Sequence, residues 1–127
     1  MLGILVFFTH LGWTDFFDSS IQYDSYENKS SSLDISVSKS YYISFCLFIY
    51  LNSTGAVRIS DTSDNNLKFL VDASTFDKCE HKSDIGGSLY INSKKGECIQ
   101  DRICSFDSKS DDNGAYCSTK VSYTSRP

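Results

Sequence analysis

The chain has little of what helical, metal-binding or nucleic-acid-binding proteins need. Proline and methionine occur once each among 127 residues. Alanine and glutamate, residues that favour helices, are scarce, and no long segment places apolar residues at i, i+3 and i+4. Amphipathic helices are therefore not expected. Lys and Arg total 12 against 16 Asp and Glu, for a net charge of −4. The signs are interspersed, so no basic stripe can neutralise a phosphate backbone and nucleic-acid binding is not expected. The mild acidic excess serves solubility.

Other absences narrow the chemistry. Cys46, Cys79, Cys98, Cys104 and Cys117 form no CxxC pair and match no common zinc spacing. Their odd number leaves at least one thiol unpaired within a chain, and the spacing prescribes no connectivity. GxSxG, HExxH, P-loop and GxGxxG motifs are missing. Asp111-Asp112-Asn113 lacks the spaced ligand set of an EF-hand. No cofactor and no metal site are expected. The most apolar internal run, Tyr41 to Leu51, has about half the ~20 residues of a membrane-spanning helix and is interrupted by Ser44. It reads as a core strand, so no transmembrane helix is expected.

What is present is strand chemistry. Nine Phe and eight Tyr favour the pleated, half-buried surface of a sheet. Leu33, Ile35 and Val37 alternate with Asp34, Ser36 and Ser38, the period of a strand with one buried face. The expected class is all-β.

Three stretches repeat one unit: a strand, a phenylalanine, a polar loop, then glycine and a small residue. Phe48 leads to Gly55-Ala56, Phe76 to Gly87-Ser88 and Phe106 to Gly114-Ala115. Aligned on Phe48, Phe76 and Phe106, the columns read Cys46, Ser74, Cys104; Phe45, Ala73, Ile103; Ile43, Val71, Asp101; and Tyr41, Phe69, Ile99. Asp101 breaks its column. The apolar parity switches between the third and second positions before the phenylalanine, which predicts a bend there. A second strand is expected after each glycine, with Val57 and Ile59, then Leu89 and Ile91, then Tyr116 alone. A repeat of this length is the mark of a stacked solenoid. The prediction is a short parallel β-helix of about three coils with Phe48, Phe76 and Phe106 as a core ladder. An antiparallel β-sandwich with evenly spaced turns is the alternative.

Residues 33–121 would form the repeats. Residues 1–32 would form an N-terminal segment with a polar loop or poorly ordered connection over 19–32, and 122–127 a tail. Leu2 to Phe8 reads either as a truncated signal peptide or as a buried capping strand. Three coils are few for a solenoid, so a covering N-terminal segment or association in solution is expected.

Gly86-Gly87-Ser88-Leu89-Tyr90-Ile91, preceded by Ser74-Thr75-Phe76-Asp77-Lys78-Cys79, resembles the repeats of right-handed parallel β-helix surface proteins. The resemblance extends to those of trichomonad-type protists and of the bacterial polymorphic outer-membrane proteins. The resemblance covers residues 33–121. The Gly-Gly pair is complete only once, and the third copy lacks the Ile-rich strand. It implies a cell-surface or secreted module with an adhesive role, whose partners would be glycans or host and cell-surface proteins. The same fold carries pectin lyase-like polysaccharide lyases and hydrolases, whose chemistry needs clustered carboxylates, often with Arg or Lys as base.

Candidate site residues are few. Asp77 and Asp107 share an aligned position and would sit one coil above the other, near Asp72, Asp101 and Arg102. Solvated turn carboxylates are the plainer account, since Asp is a common turn former. Cys79-Glu80-His81 places a thiol, a carboxylate and an imidazole together, but strand neighbours point to opposite faces and a loop is the simpler reading. His10 lies in an aromatic segment as a packed residue. Asn28-Lys29-Ser30 and Asn52-Ser53-Thr54 are N-glycosylation sequons in expected loops, with Asn28 and Asn52 as acceptors. The expectation is a non-enzymatic surface or secreted module for binding, adhesion or display. The alternatives are a fragment of a carbohydrate-active enzyme and a structural repeat fragment without a function of its own.

Overall fold

Short strands rich in aromatic and β-branched residues, separated by polar corners, leave each strand too short to fold alone; each must find its hydrogen bonds on a neighbour. The computed structural model describes residues 16–18, 21–84, 86–110 and 116–125, the last three as backbone only. Leu2 to Phe8, His10, the Asp111-Asp112-Asn113 run and Gly114-Ala115 lie outside the described residues. Among the described residues fourteen strands are formed. They are β1 (Tyr23–Glu27), β2 (Leu33–Ile35), β3 (Ser40–Ser44), β4 (Leu47–Ile49), β5 (Val57–Asp61), β6 (Lys68–Asp72) and β7 (Thr75–Asp77). Then follow β8 (Glu80–His81), β9 (Leu89–Ser93), β10 (Glu97–Asp101), β11 (Cys104–Phe106), β12 (Lys109–Ser110), β13 (Cys117–Lys120) and β14 (Tyr123–Ser125).

These strands form four sheets, ordered β1-β3-β6-β10-β14, β2-β5-β9-β13, β4-β7-β11 and β8-β12. Every strand pair among the described residues is parallel. A sandwich of antiparallel hairpins is therefore not the architecture; the isolated bridge from Thr54 to His81 is antiparallel. Consecutive strands always belong to different sheets. From β6 onward the chain visits the five-, three-, two- and four-stranded sheets in that order, twice, and ends on the five-stranded sheet.

The register corrects the Phe-based alignment. Tyr41 pairs with Phe69 and Phe48 with Phe76, each 28 residues on. The next step is 29 residues, not the 30 that Phe106 implies: Phe69 pairs with Cys98 and Phe76 with Ser105. One residue of slip moves a side chain to the other face of a strand. Phe106 therefore leaves the core ladder, pairs with Asp77 and is 57% exposed. Phe48 and Phe76 stack with centroids 5.2 Å apart, and Tyr116, not Phe106, meets Phe76 edge-on at 5.8 Å. The same slip accounts for Asp101. It pairs with Asp72, while Gln100 continues the column of Ile43 and Val71. Cys104 likewise pairs with Thr75 and is exposed, not stacked inward with Cys46 and Ser74.

The core holds Tyr41, Ile43, Phe48, Val57, Ile59, Phe69, Val71, Phe76, Leu89 and Ile91, with the buried thiols of Cys46, Cys79 and Cys98 among them. Tyr41 to Leu51 is two strands, β3 and β4, joined through Phe45. The predicted bend falls there. Phe45, Ala73 and Arg102 have φ of 52°, 45° and 50°, and mark the same corner in successive passes. Tyr50, Lys78 and Asp107 mark a second, with φ of 55°, 53° and 48°. The ladder continues through these corners: Phe45 N donates to Asp72 O, Tyr50 N to Asp77 O and Lys78 N to Phe106 O. Gly55 is needed as glycine, since its φ is +75° and an added Cβ would lie 2.9 Å from the Gly87 carbonyl oxygen.

Both ends of the predicted repeat region move. β1 lies within the stretch expected to be loop and pairs with β3, with Tyr26 turned inward over Tyr41. β14 lies within the expected tail and pairs with β10. After Tyr116 the third copy does form a second strand, β13, on β9. Phe17 is buried against Tyr23 and Tyr42, on the outer side of the five-stranded sheet.

Candidate functional site

A corner repeated in register builds a column of side chains on the surface. Tyr50, Lys78 and Asp107 form one such column where the chain leaves the three-stranded sheet. Two residues further on, Asn52, Glu80 and Lys109 form another; Glu80 pairs with Lys109, and Glu80 N and Lys109 N donate to Leu51 O and Cys79 O. Together these six residues line an open groove of about 340 Å³. A second groove, of about 240 Å³, adjoins it and shares Tyr50 and Asn52, continuing down to Ser32 and Thr54. The combined trough crosses successive passes of the chain.

The trough is charge-balanced, with two ammonium and two carboxylate groups. Lys78 Nζ donates to the Tyr50 hydroxyl at 3.0 Å and lies 4.9 Å from the ring centroid. The bond to Tyr50, with the nearby charges of Asp77 and Asp107, holds the Lys78 ammonium above its ordinary range. Tyr50 remains 61% exposed. Beside the trough, the outer face of the three-stranded sheet presents Leu47, Ile49 and Phe106, with Phe45 at its edge, all exposed.

The carboxylates named from sequence do not stack. Asp77 lies between Ile49 and Phe106 in the three-stranded sheet, whereas Asp107 stands above Lys78 in the corner. Asp72 is fully buried and held by Arg102, whose Nε and Nη2 donate to Oδ1 and Oδ2 at 2.9 and 2.6 Å. That bidentate bond holds Arg102 firmly charged. Asp101 approaches the same guanidinium at 3.7 Å. The Tyr42 hydroxyl also donates to Asp72 Oδ2, at 3.5 Å. Among the described residues no group of three or more His, Cys, Asp or Glu could hold a metal ion.

Cys79, Glu80 and His81 diverge. The Cys79 thiol is buried inside and donates to Phe48 O, Glu80 faces the groove, and His81 Nδ1 accepts from Ser83 N. Burial pushes the Cys79 and Cys46 thiols up, away from the reactive thiolate. Asn28 is exposed in a left-handed corner whose N–H donates to Ser44 O. Asn52 is exposed in the trough.

Sequence reasoning named Asn52 and Asp107 here, considered Glu80 only within Cys79-Glu80-His81, and missed Tyr50, Lys78 and Lys109. These sit in corners and a two-residue strand, without the apolar columns that guided the alignment. The 28- and 29-residue register, applied to polar positions, would have found them.

Among the described residues no helix is long and apolar enough to cross a membrane. No protein family, no curated protein and no solved structure matches the chain.

Proposed function

We propose that this chain is a short right-handed parallel β-helix module that works at a cell surface or in a secreted protein, and that it binds or displays without catalysing a reaction. The parallel pairing of every strand and the fixed order in which the chain visits its sheets support the coiled fold. The observation that carries the function is the trough around Tyr50. It offers an exposed aromatic ring, an amide, two ammonium groups and two carboxylates. Such a surface suits a polyhydroxylated partner, because a sugar can stack on the ring while its hydroxyls both donate and accept. The exposed apolar strip of Leu47, Ile49 and Phe106 gives a protein partner a place beside it.

A glycan array run with the unglycosylated chain, together with a polysaccharide cleavage assay, tests this reading. Retained glycans without turnover are expected, with Tyr50→Ala and Lys109→Ala weakening retention. Cleavage of any polysaccharide refutes the non-enzymatic assignment.

A further inference from the structure

The two sequons of this chain differ in one structural respect. Each has a tyrosine two residues before its asparagine: Tyr26 before Asn28, and Tyr50 before Asn52. Tyr26 is turned into the core against Tyr41. Tyr50, set in a left-handed corner, is turned out, and it lines both grooves together with Asn52. Lys78 meets the Tyr50 hydroxyl and lies near the ring, yet most of the residue stays open to solvent. The Asn28 sequon, by contrast, runs alongside β4. Lys29 N donates to Cys46 Sγ and Lys29 O accepts from Leu47 N.

We propose that Asn52 is an N-glycosylation site whose first sugar stacks on the Tyr50 ring, so that the trough cradles the chain's own glycan. This rests on the surface or secreted reading above and deepens it: what the corner displays is a covalently held sugar. The transfer takes an oligosaccharide from a lipid diphosphate carrier. The bond from the sugar's anomeric carbon to the diphosphate oxygen breaks, and a bond from that carbon to Asn52 Nδ2 forms. One Nδ2 proton is lost and the lipid diphosphate leaves. Thr54 supplies the hydroxyl that the acceptor sequence requires. The apolar face of a pyranose ring packs on an aromatic ring, and its hydroxyls then face Glu80 and Lys109 across the groove. Tyr26, half-buried and facing the core against Tyr41, can offer an Asn28-linked sugar nothing equivalent.

The test uses the full chain, produced in a eukaryotic secretory system behind an appended signal sequence. Peptide mass mapping should find glycan on Asn52. The glycosylated protein should melt above the unglycosylated Thr54→Ala form. That gap should vanish in the Tyr50→Ala background and persist in Tyr50→Phe, while Ser30→Ala at the other sequon leaves the melting temperature unchanged. An unoccupied Asn52, or a gap that survives Tyr50→Ala, overturns the proposal. Either result leaves glycan retention on the array, and hence the binding reading, intact. Polysaccharide turnover would instead overturn that reading with Asn52 still occupied.

Discussion

Phe76 lies between Phe48 and Tyr116 with no exposed surface, whereas Phe106, one residue out of step, stands in solvent. Truncation should separate them sharply. Phe76→Ala should cost about 3–5 kcal/mol through lost burial and the cavity left behind. Phe106→Ala should stay within about 0.5 kcal/mol, as surface substitutions do. Urea denaturation of both variants checks the register, and equal losses would contradict it. The left-handed corner residues carry a second prediction. An L-residue there bears a penalty of about 1–2 kcal/mol. Ala73, φ 45°, has little side chain to lose. Ala73→Gly removes the penalty at an unfolded-state entropy cost of about 0.4–1 kcal/mol. It should stabilise by roughly 0.5–1 kcal/mol, seen as a higher urea midpoint with an unchanged slope.

At the level of elements, polar side chains tie one pass to the next at the ends of the strands. Asp61, at the end of β5, is the clearest case. Its Oδ2 accepts from Ser93 Oγ at the end of β9 at 2.6 Å, and its Oδ1 accepts from Ser63 N at 2.8 Å. Burial alone would push this carboxyl up. The hydrogen bonds from Ser38, Ser93 and Ser63 outweigh burial and hold it below the usual range. A carboxylate whose pKa is lowered by folding stabilises the native state above the unfolded pKa of about 3.9. That contribution is lost as pH falls through the lower folded value. Denaturant midpoints measured from pH 7 down to pH 2 should therefore fall with acid in the wild type. Asp61→Asn should be less stable at pH 7 and should fall less steeply below pH 4. Parallel curves for the two proteins would show that these bonds do not favour the charged form.

For the whole molecule, the parallel stack leaves unequal ends. β6, β7 and β9 are paired on both sides, while β1, β11, β13 and β14 are sheet-edge strands. Inward positions turn polar toward the β11 side. Gln100 follows Val71, and Ser105 follows Phe76. Ser108 shares hydroxyl contacts with Ser88 and Ser105, and Tyr116 donates to Gln100 Oε1. These polar groups bond to one another where β11 and β13 have no neighbour on their far side among the described residues. Amide hydrogen exchange should therefore be slowest in β6 and β9 and fastest in β11 and β14. Uniform protection along the stack would argue that a further partner covers that end.

The all-β class, the repeat of near-constant length and the bend before Phe48 and Phe76 were legible because each is a local pattern of apolar residues along the chain. So was the trough's acceptor sequence, Asn52-Ser53-Thr54. The Phe106 column was not, because a 29-residue step and a 30-residue step look alike in sequence. Only backbone pairing decides between them, and the loser is turned to the opposite face. Tyr23 to Glu27 offered too few apolar residues to be read as a strand, yet a parallel neighbour supplies its hydrogen bonds. The trough, too, arises only when three corners 28 and 29 residues apart come into register. Side-chain chemistry along the chain determined the apolar core strands and the bend between them; long-range hydrogen bonding decided which further segments become strands and which corners meet, and so where a site can exist.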